Sequence, residues 1–302
     1  MLTFRKLTIM LFGLYLLATG SLLASRDVKD EIGRKVHLPD NPQRVVCLAP
    51  SLTETVYALG LGTIVVGVTD FTDYPPEAQS KPSVGGLADA SIERIVSLRP
   101  DLVLSLGVIN REETVDELGH LGIPVYVVNP QGLHGILESI QHVGDALNRS
   151  GEAQRLLQHL EEQRAAIAVR VAKLPRPKVL AVIWYDPVIT AGSNSYITDV
   201  ITAAGAQSVT ADMAQVWPQI SLEEVLRRAP DVVLLVRGVH GGITEEDLRS
   251  HAGWDQLKAI HDHHVIYMGE RLFHPSPVVF EALEQLAKKL HPEAFESRRG
   301  QP

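Results

Sequence analysis

The chain has 302 residues, enough for two domains of ordinary size that each bury a core of their own. Its formal net charge of -8 and its 5% aromatic content argue against a general binder of nucleic acids or anionic membranes. Zinc-finger spacing, RNA-binding aromatic motifs and basic runs are absent from the sequence.

Residues 1–24 read as an export signal rather than part of the fold. Arg5 and Lys6 precede an apolar run, Leu7 to Leu17, and small residues follow at Ala18, Gly20, Ser21 and Ala24. The run is shorter than the roughly 20 apolar residues of a membrane span. Cleavage is expected near Gly20 or Ala24, and an uncleaved anchor is the alternative. The sole cysteine, Cys47, lies in an expected buried strand, too far from the signal core to carry a lipoprotein's lipid. Alone, it forms no internal disulfide. The expectation is a periplasmic, soluble, monomeric protein.

After a polar, turn-rich stretch (Asp27 to Asn41), Val45 to Ala49 reads as the first strand. Ser51-Leu52-Thr53-Glu54 has the spacing of a capping box, and the helix it opens stops at Gly60. Ile64 to Val68 is the second strand. A long irregular stretch, Thr69 to Ala90, carries Phe71, Tyr74 and a glycine pair, and loops of that length are usually functional or disordered. Strands follow at Leu102 to Leu106 and Val125 to Val128, with helices at Glu112 to Leu121 and Leu133 to Leu147. Strictly alternating strands and helices mean a parallel sheet covered on both faces. Ser150 can cap a helix running to about Lys173, about 33 Å long at 1.5 Å per residue, enough to join two lobes. The alternation then resumes. Strands are expected at Val179 to Ile183, Val232 to Val236 and Val265 to Tyr267, and helices at Tyr196 to Ala204, Glu245 to Arg249 and Pro277 to Leu290.

One phrase occurs twice. Ser91-Ile92-Glu93 through Arg99-Pro100-Asp101-Leu102-Val103-Leu104 returns at a constant offset as Ser221-Leu222-Glu223 through Ala229-Pro230-Asp231-Val232-Val233-Leu234. Each copy is a serine-capped helix, a Pro-Asp break and a continuous apolar strand. Two copies so far apart suggest two similar lobes. The predicted architecture is α/β: two Rossmann-like lobes with parallel sheets (42–150 and 177–295) joined by one long interlobe helix (151–174).

Ligands of open parallel sheets sit beyond the carboxyl ends of the strands. Loops there carry Ser51, Phe71, Tyr74, Trp184, Tyr185, Phe273 and His274, and Trp217 lies just before the second repeat copy. In an aromatic-poor chain this clustering suits a large, flat, partly apolar ligand. His274 could ligate a metal inside a bound macrocycle or make a loop hydrogen bond. His261-Asp262-His263-His264 is dense, but neighbouring residues on a turn do not easily face one ion. Nucleotide-binding glycine motifs are absent, and Ser51 reads as a cap rather than a nucleophile. Glu93 and Glu223, third in each repeat copy, form a matched acidic pair that a partner with two basic pockets would read.

These residues carry a resemblance. Val45 to Glu54, Asp73-Tyr74-Pro75-Pro76, Ser91 to Leu104, Trp217-Pro218-Gln219-Ile220-Ser221 and Ser276-Pro277 resemble the class III periplasmic binding proteins of ABC importers, those for cobalamin, haem and iron–siderophores. They look most like the cobalamin branch. The resemblance implies no enzymatic activity and no cofactor. It implies a corrinoid (cobalamin) carried as transported ligand between the lobes, and delivery to a membrane permease whose arginines pair with Glu93 and Glu223. Aromatic contacts of the cobalamin branch fall on Phe71 and Trp217. The chain departs at Leu87 and Leu106, where that branch has tryptophan, and at His274, where it has arginine. Haem or a ferric siderophore is therefore the alternative ligand, with Arg237 and Arg271 as the basic residues near the expected cleft.

Overall fold

The computed structural model describes residues 25–238 and 241–296. The expected export signal lies outside them. The apolar runs become the inner strands of two sheets. In the first, β3 (Val45–Cys47), β4 (Val65–Gly67), β5 (Leu102–Leu106) and β6 (Val125–Val128) run parallel in the order β4-β3-β5-β6. Every residue of β3, β5 and β6 is buried, which is why these strands show no alternation of apolar and polar residues. Cys47 is a buried small hydrophobe, and burial pushes its thiol pKa up to about 12.

The second sheet holds β7 (Lys178–Tyr185), β8 (Val188–Thr190), β9 (Gln207–Ser208), β10 (Val232–Gly238), β11 (Gly241–Gly242) and β12 (Val265–Gly269). β7, β9, β10 and β12 pair in parallel, but β8 is antiparallel to β7 and β11 is antiparallel to β10. The second lobe thus has the expected parallel sheet, to which the short strands β8 and β11 add antiparallel pairings. Trp184 and Tyr185 continue β7 instead of leaving it as a loop, and the short Asp186-Pro187 turn folds the chain back as a hairpin.

The stretch read as polar and turn-rich also forms structure. β1 (Ser25–Lys29) and β2 (Lys35–Pro39) are an antiparallel hairpin. In β2, Val36 and Leu38 are buried while Lys35 and His37 face out. The hairpin covers the β6 edge of the first sheet, where Glu31 N–H and the Arg34 guanidinium each donate at 3.1 Å to the carbonyls of Val127 and Val125.

The helices are α1 (Pro50–Ala58), α2 (Ile92–Ser97), α3 (Glu112–His120), α4 (Gly132–Ala146), α5 (Ser150–Val171), α6 (Tyr196–Ala203), α7 (Leu222–Arg228), α8 (Glu245–Ser250), α9 (Lys258–His261), α10 (Val278–Leu290) and α11 (Pro292–Phe295). Two expected caps are corrected. Ala49 precedes α1 with no side-chain cap, Pro50 fills the first turn, and Ser51 is 3% exposed within the helix. Arg149 precedes α5, and the Ser150 hydroxyl donates to Asp145 at 2.5 Å.

The repeat is one structural unit made twice. Ser91 accepts from Arg94 N–H at 3.3 Å and Ser221 from Glu224 N–H at 3.2 Å, each cap contributing about 1 kcal/mol. Arg99 and Ala229, at the same place in the two copies, both turn left-handed with φ of 46° and 47°. Asp101 then accepts from Arg44 N–H at 2.9 Å while its own N–H donates back to the Arg44 carbonyl, also at 2.9 Å. Asp231 makes the same two bonds with Lys178, each 2.8 Å long. The repeated aspartate locks each strand to the start of its parallel neighbour.

The expected interlobe helix is α5. Ala153 and Leu156 pack with the core of the first lobe, and Leu160, Ile167 and Val171 with that of the second. It has a companion the sequence did not reveal. α4 places Val143 and Ala146 in the first core, with Leu147 just past its end, and Leu133, Ile136, Leu137 and Ile140 in the second. Gly132 has φ of +67°, and a Cβ there would meet the Asp199 carboxylate, which accepts from Leu133 N–H at 2.8 Å.

Candidate functional site

The carboxyl ends of β7 and β10 and the turn after β12 line an open pocket of about 400 Å³ that belongs to the second lobe alone. Its walls include Trp184, Tyr185, Phe273, Ile243, Asp247 and Glu270. Trp184 and Tyr185 stack with ring centroids 5.4 Å apart, and Tyr185 meets the His251 ring edge-on at 4.5 Å. The Trp184 indole N–H donates to the Asp186 carbonyl at 2.9 Å, so the hairpin turn fixes the ring. Asp247 closes a capping box with Thr244, whose hydroxyl and backbone N–H hold its carboxyl below the usual range. Three of the expected ligand residues, Trp184, Tyr185 and Phe273, thus share one wall.

Phe71 and Trp217 are both 43% exposed, on their own loops outside that pocket. The Trp217 loop is held on β8 by Thr190 N–H donating to the Pro218 carbonyl at 3.0 Å, and by Gly192 N–H donating to the Val216 carbonyl at 3.1 Å. Gly192 is needed there because a Cβ would collide with the carbonyls of Gln215 and Met213. Tyr74 lies elsewhere, beneath the Arg271 guanidinium, 3.9 Å from its ring centroid, and so ties the first lobe to the second. Ser51 is buried in the first turn of α1.

His274 makes a hydrogen bond across the two lobes. Its Nδ1 lies 2.7 Å from Glu54 Oε1, on the other lobe, and Ser276 Oγ donates to Glu54 Oε2 at 2.5 Å. Burial alone would lower the His274 pKa. The bond to Glu54 and the charges of Glu54, Asp73 and Glu270 outweigh it and raise the ring above its ordinary 6.5. The contact with Glu54 engages Nδ1 of the ring. Among the described residues no group of three or more His, Cys, Asp or Glu side chains could hold a metal ion. The His261–His264 run is engaged otherwise, with His263 Nδ1 2.7 Å from Glu245.

Sequence reasoning missed Glu54, Ser276 and Asn110. Glu54 has the spacing of a capping-box end, but its side chain is fully buried instead. The available signal was a carboxylate between Leu52 and Val56 on the face of α1 that packs inward. Asn110 Nδ2 donates to the Leu48 and Leu87 carbonyls at 2.9 and 2.7 Å, and its Oδ1 accepts from Leu106 N–H at 2.6 Å. It therefore straps together two strand ends and the long 69–90 loop. Leu87 and Leu106 serve the first core, Leu106 being 1% exposed.

Glu93 and Glu223 are exposed on α2 and α7. The backbone N–H of Glu93 and the Ser91 hydroxyl hold the Glu93 carboxyl below its usual range. Glu223 makes no hydrogen bond or ion pair among the described residues, whereas Glu224 beside it is bound by Arg227 and Arg228.

The chain is 32% identical over 248 residues to the vitamin B12-binding protein of Salmonella choleraesuis, covering 82% of this chain and 90% of that one. It is 29% identical over 276 residues to YvrC of Bacillus subtilis, named an uncharacterized ABC transporter substrate-binding lipoprotein, covering 89% of this chain and 86% of that one. Its structure superposes on the apo periplasmic heme-binding protein RhuT from Roseiflexus sp. RS-1 with a TM-score of 0.73 and 28% identity, over 83% of this chain and 99% of that one. Two lobes, cores shared through long helices and a cleft at the strand ends are the class III architecture of such binding proteins. With residues 45–272 matching its family model, the chain belongs to the periplasmic binding protein family of ABC importers.

Proposed function

We propose that the protein is exported to the periplasm, where it captures a corrinoid of the cobalamin type as a monomer and hands it to the permease of an ABC importer without chemical change. The observation that carries the ligand class is the wall of Trp184, Tyr185 and Phe273, which opens to solvent at the strand ends of the second lobe. Stacked, pinned aromatic faces suit the broad apolar surface of a macrocycle. The similarity to vitamin B12-binding proteins supports the same reading. Phe71 and Trp217, exposed on loops at the strand ends, would complete the contact from outside that wall, and Glu93 and Glu223 would dock the permease.

A second reading, haem or a ferric siderophore, is favoured by Arg237. Its guanidinium stacks over Tyr267 at 4.8 Å and makes no hydrogen bond or ion pair among the described residues, so it is free to meet an anionic chelate. The test is titration of the purified protein with cyanocobalamin, haemin and a ferric siderophore in parallel, followed by heat and tryptophan fluorescence. The expected result is saturable one-to-one binding of cyanocobalamin alone. Binding of haemin alone, weakened by Arg237→Ala, would replace the corrinoid with haem.

A further inference from the structure

The buried contact between the lobes gathers carboxylates around one imidazole. The Glu54 side chain is 0% exposed and comes from α1 of the first lobe. His274 and Ser276, from the turn between β12 and α10, bind its two oxygens at 2.7 and 2.5 Å. Asp73, from the long 69–90 loop, has a buried Oδ1 with no hydrogen-bond partner among the described residues. Glu270 lies on the same turn as His274, and the Tyr196 hydroxyl on α6 feels the Glu54 charge. Arg271 joins the lobes a few residues away through Tyr74 and also lies 3.8 Å from Glu281. His274 directly follows Phe273, which lines the ligand pocket.

We propose that Glu54, His274 and Ser276 form a protonation-dependent clasp that sets the spacing of the lobes, so that Glu54 and His274 are positioning residues for ligand binding. A buried carboxylate is tolerated when it is paired. With His274 protonated, Glu54 faces a cation and a hydroxyl donor. With His274 neutral, the buried Glu54 carboxylate loses its countercharge, the charges of Asp73 and Glu270 that act on the ring lose theirs too, and parting of the lobes lets water solvate Glu54. The sign follows. The ring's pKa is raised in the clasped state, so the stabilisation is complete below the ordinary value of 6.5 and is lost as pH rises through the raised value. The use of the clasp for ligand binding rests on the function proposed above; the clasp itself is tested without ligand.

Spin labels on Asp116→Cys in α3 and Glu246→Cys in α8, both exposed, report the interlobe distance; Cys47, buried with its pKa near 12, stays unlabelled. The expected distribution is narrow at about pH 5.5 and becomes broader and longer at about pH 8.5, with cyanocobalamin affinity falling about tenfold over the same range. Glu54→Gln should remove this pH response, and His274→Arg, a permanent cation, should keep the distribution narrow at both values. A wild-type distribution that ignores pH overturns the clasp, as does a wild-type response retained in Glu54→Gln. Should Glu54→Gln fail to fold, His274→Arg decides: a pH response like that of the wild type overturns the proposal. A pH-dependent distance without cyanocobalamin binding at either pH supports the clasp and overturns only the ligand assignment.

Discussion

Trp184 keeps 50% of its surface in solvent although its indole N–H is bound to the Asp186 carbonyl and its face rests on Tyr185. An aromatic side chain held in place yet exposed loses little further freedom when a ligand covers it. Trp184→Ala should therefore raise the ligand Kd by about 30-fold, roughly 2 kcal/mol for an anchoring aromatic, and leave the melting temperature nearly unchanged. Calorimetric titration and a thermal melt of the same variant check both halves. At this scale the sequence was legible where a residue's role is local. The caps at Ser91 and Ser221, the buried Cys47 and the helix stop at Gly60 (φ +76°) each depend on neighbours within a few positions. Glu54 was hard to read because its partner His274 is 220 residues away, and its place between Leu52 and Val56 on the inward face of α1 is the one local sign that it does not cap.

The helix–strand phrase recurred in the sequence and recurs in space down to its left-handed residue and its strand-locking aspartate. Its first turn also presents Glu93 and Glu223 to solvent in equivalent positions of α2 and α7. If these are the docking pair, the Glu93→Ala/Glu223→Ala double variant should bind ligand with wild-type affinity and fail to stimulate the cognate permease. Vesicle transport assays alongside a titration check it, and transport at the wild-type rate would remove the assignment. Neither side chain supports the fold: Glu93 bonds locally to Ser91 and Glu223 makes no bond among the described residues. The elements the sequence missed are short and half-polar. The β1–β2 hairpin, β8 and β11 are stabilised by pairing with a neighbouring strand, so their own sequence carries little signal.

Across the whole molecule, α4 and α5 each serve both cores, with Val143 and Ala153 in the first and Ile140 and Ile167 in the second. Lobes that share helices in this way should not melt apart. Calorimetry should give one cooperative transition, and Ile167→Ala should shift it as a whole, costing about 2–5 kcal/mol for a fully buried isoleucine. Two resolved transitions, with only the second moved, would show that the lobes unfold independently. The same sharing, together with the Glu54–His274 and Tyr74–Arg271 contacts, limits lobe motion to small adjustments around the cleft.

The sequence by itself determined the class of fold, the two lobes, the long connecting helix and the exposed acidic pair, because each is written in periodicity, capping or repetition over short stretches. Only the tertiary structure decided which aromatics share a wall, that a second helix spans the lobes, and that His274 closes the interface. These depend on residues far apart in the chain meeting across packed surfaces, where burial turns an ordinary carboxylate and imidazole into a linked pair.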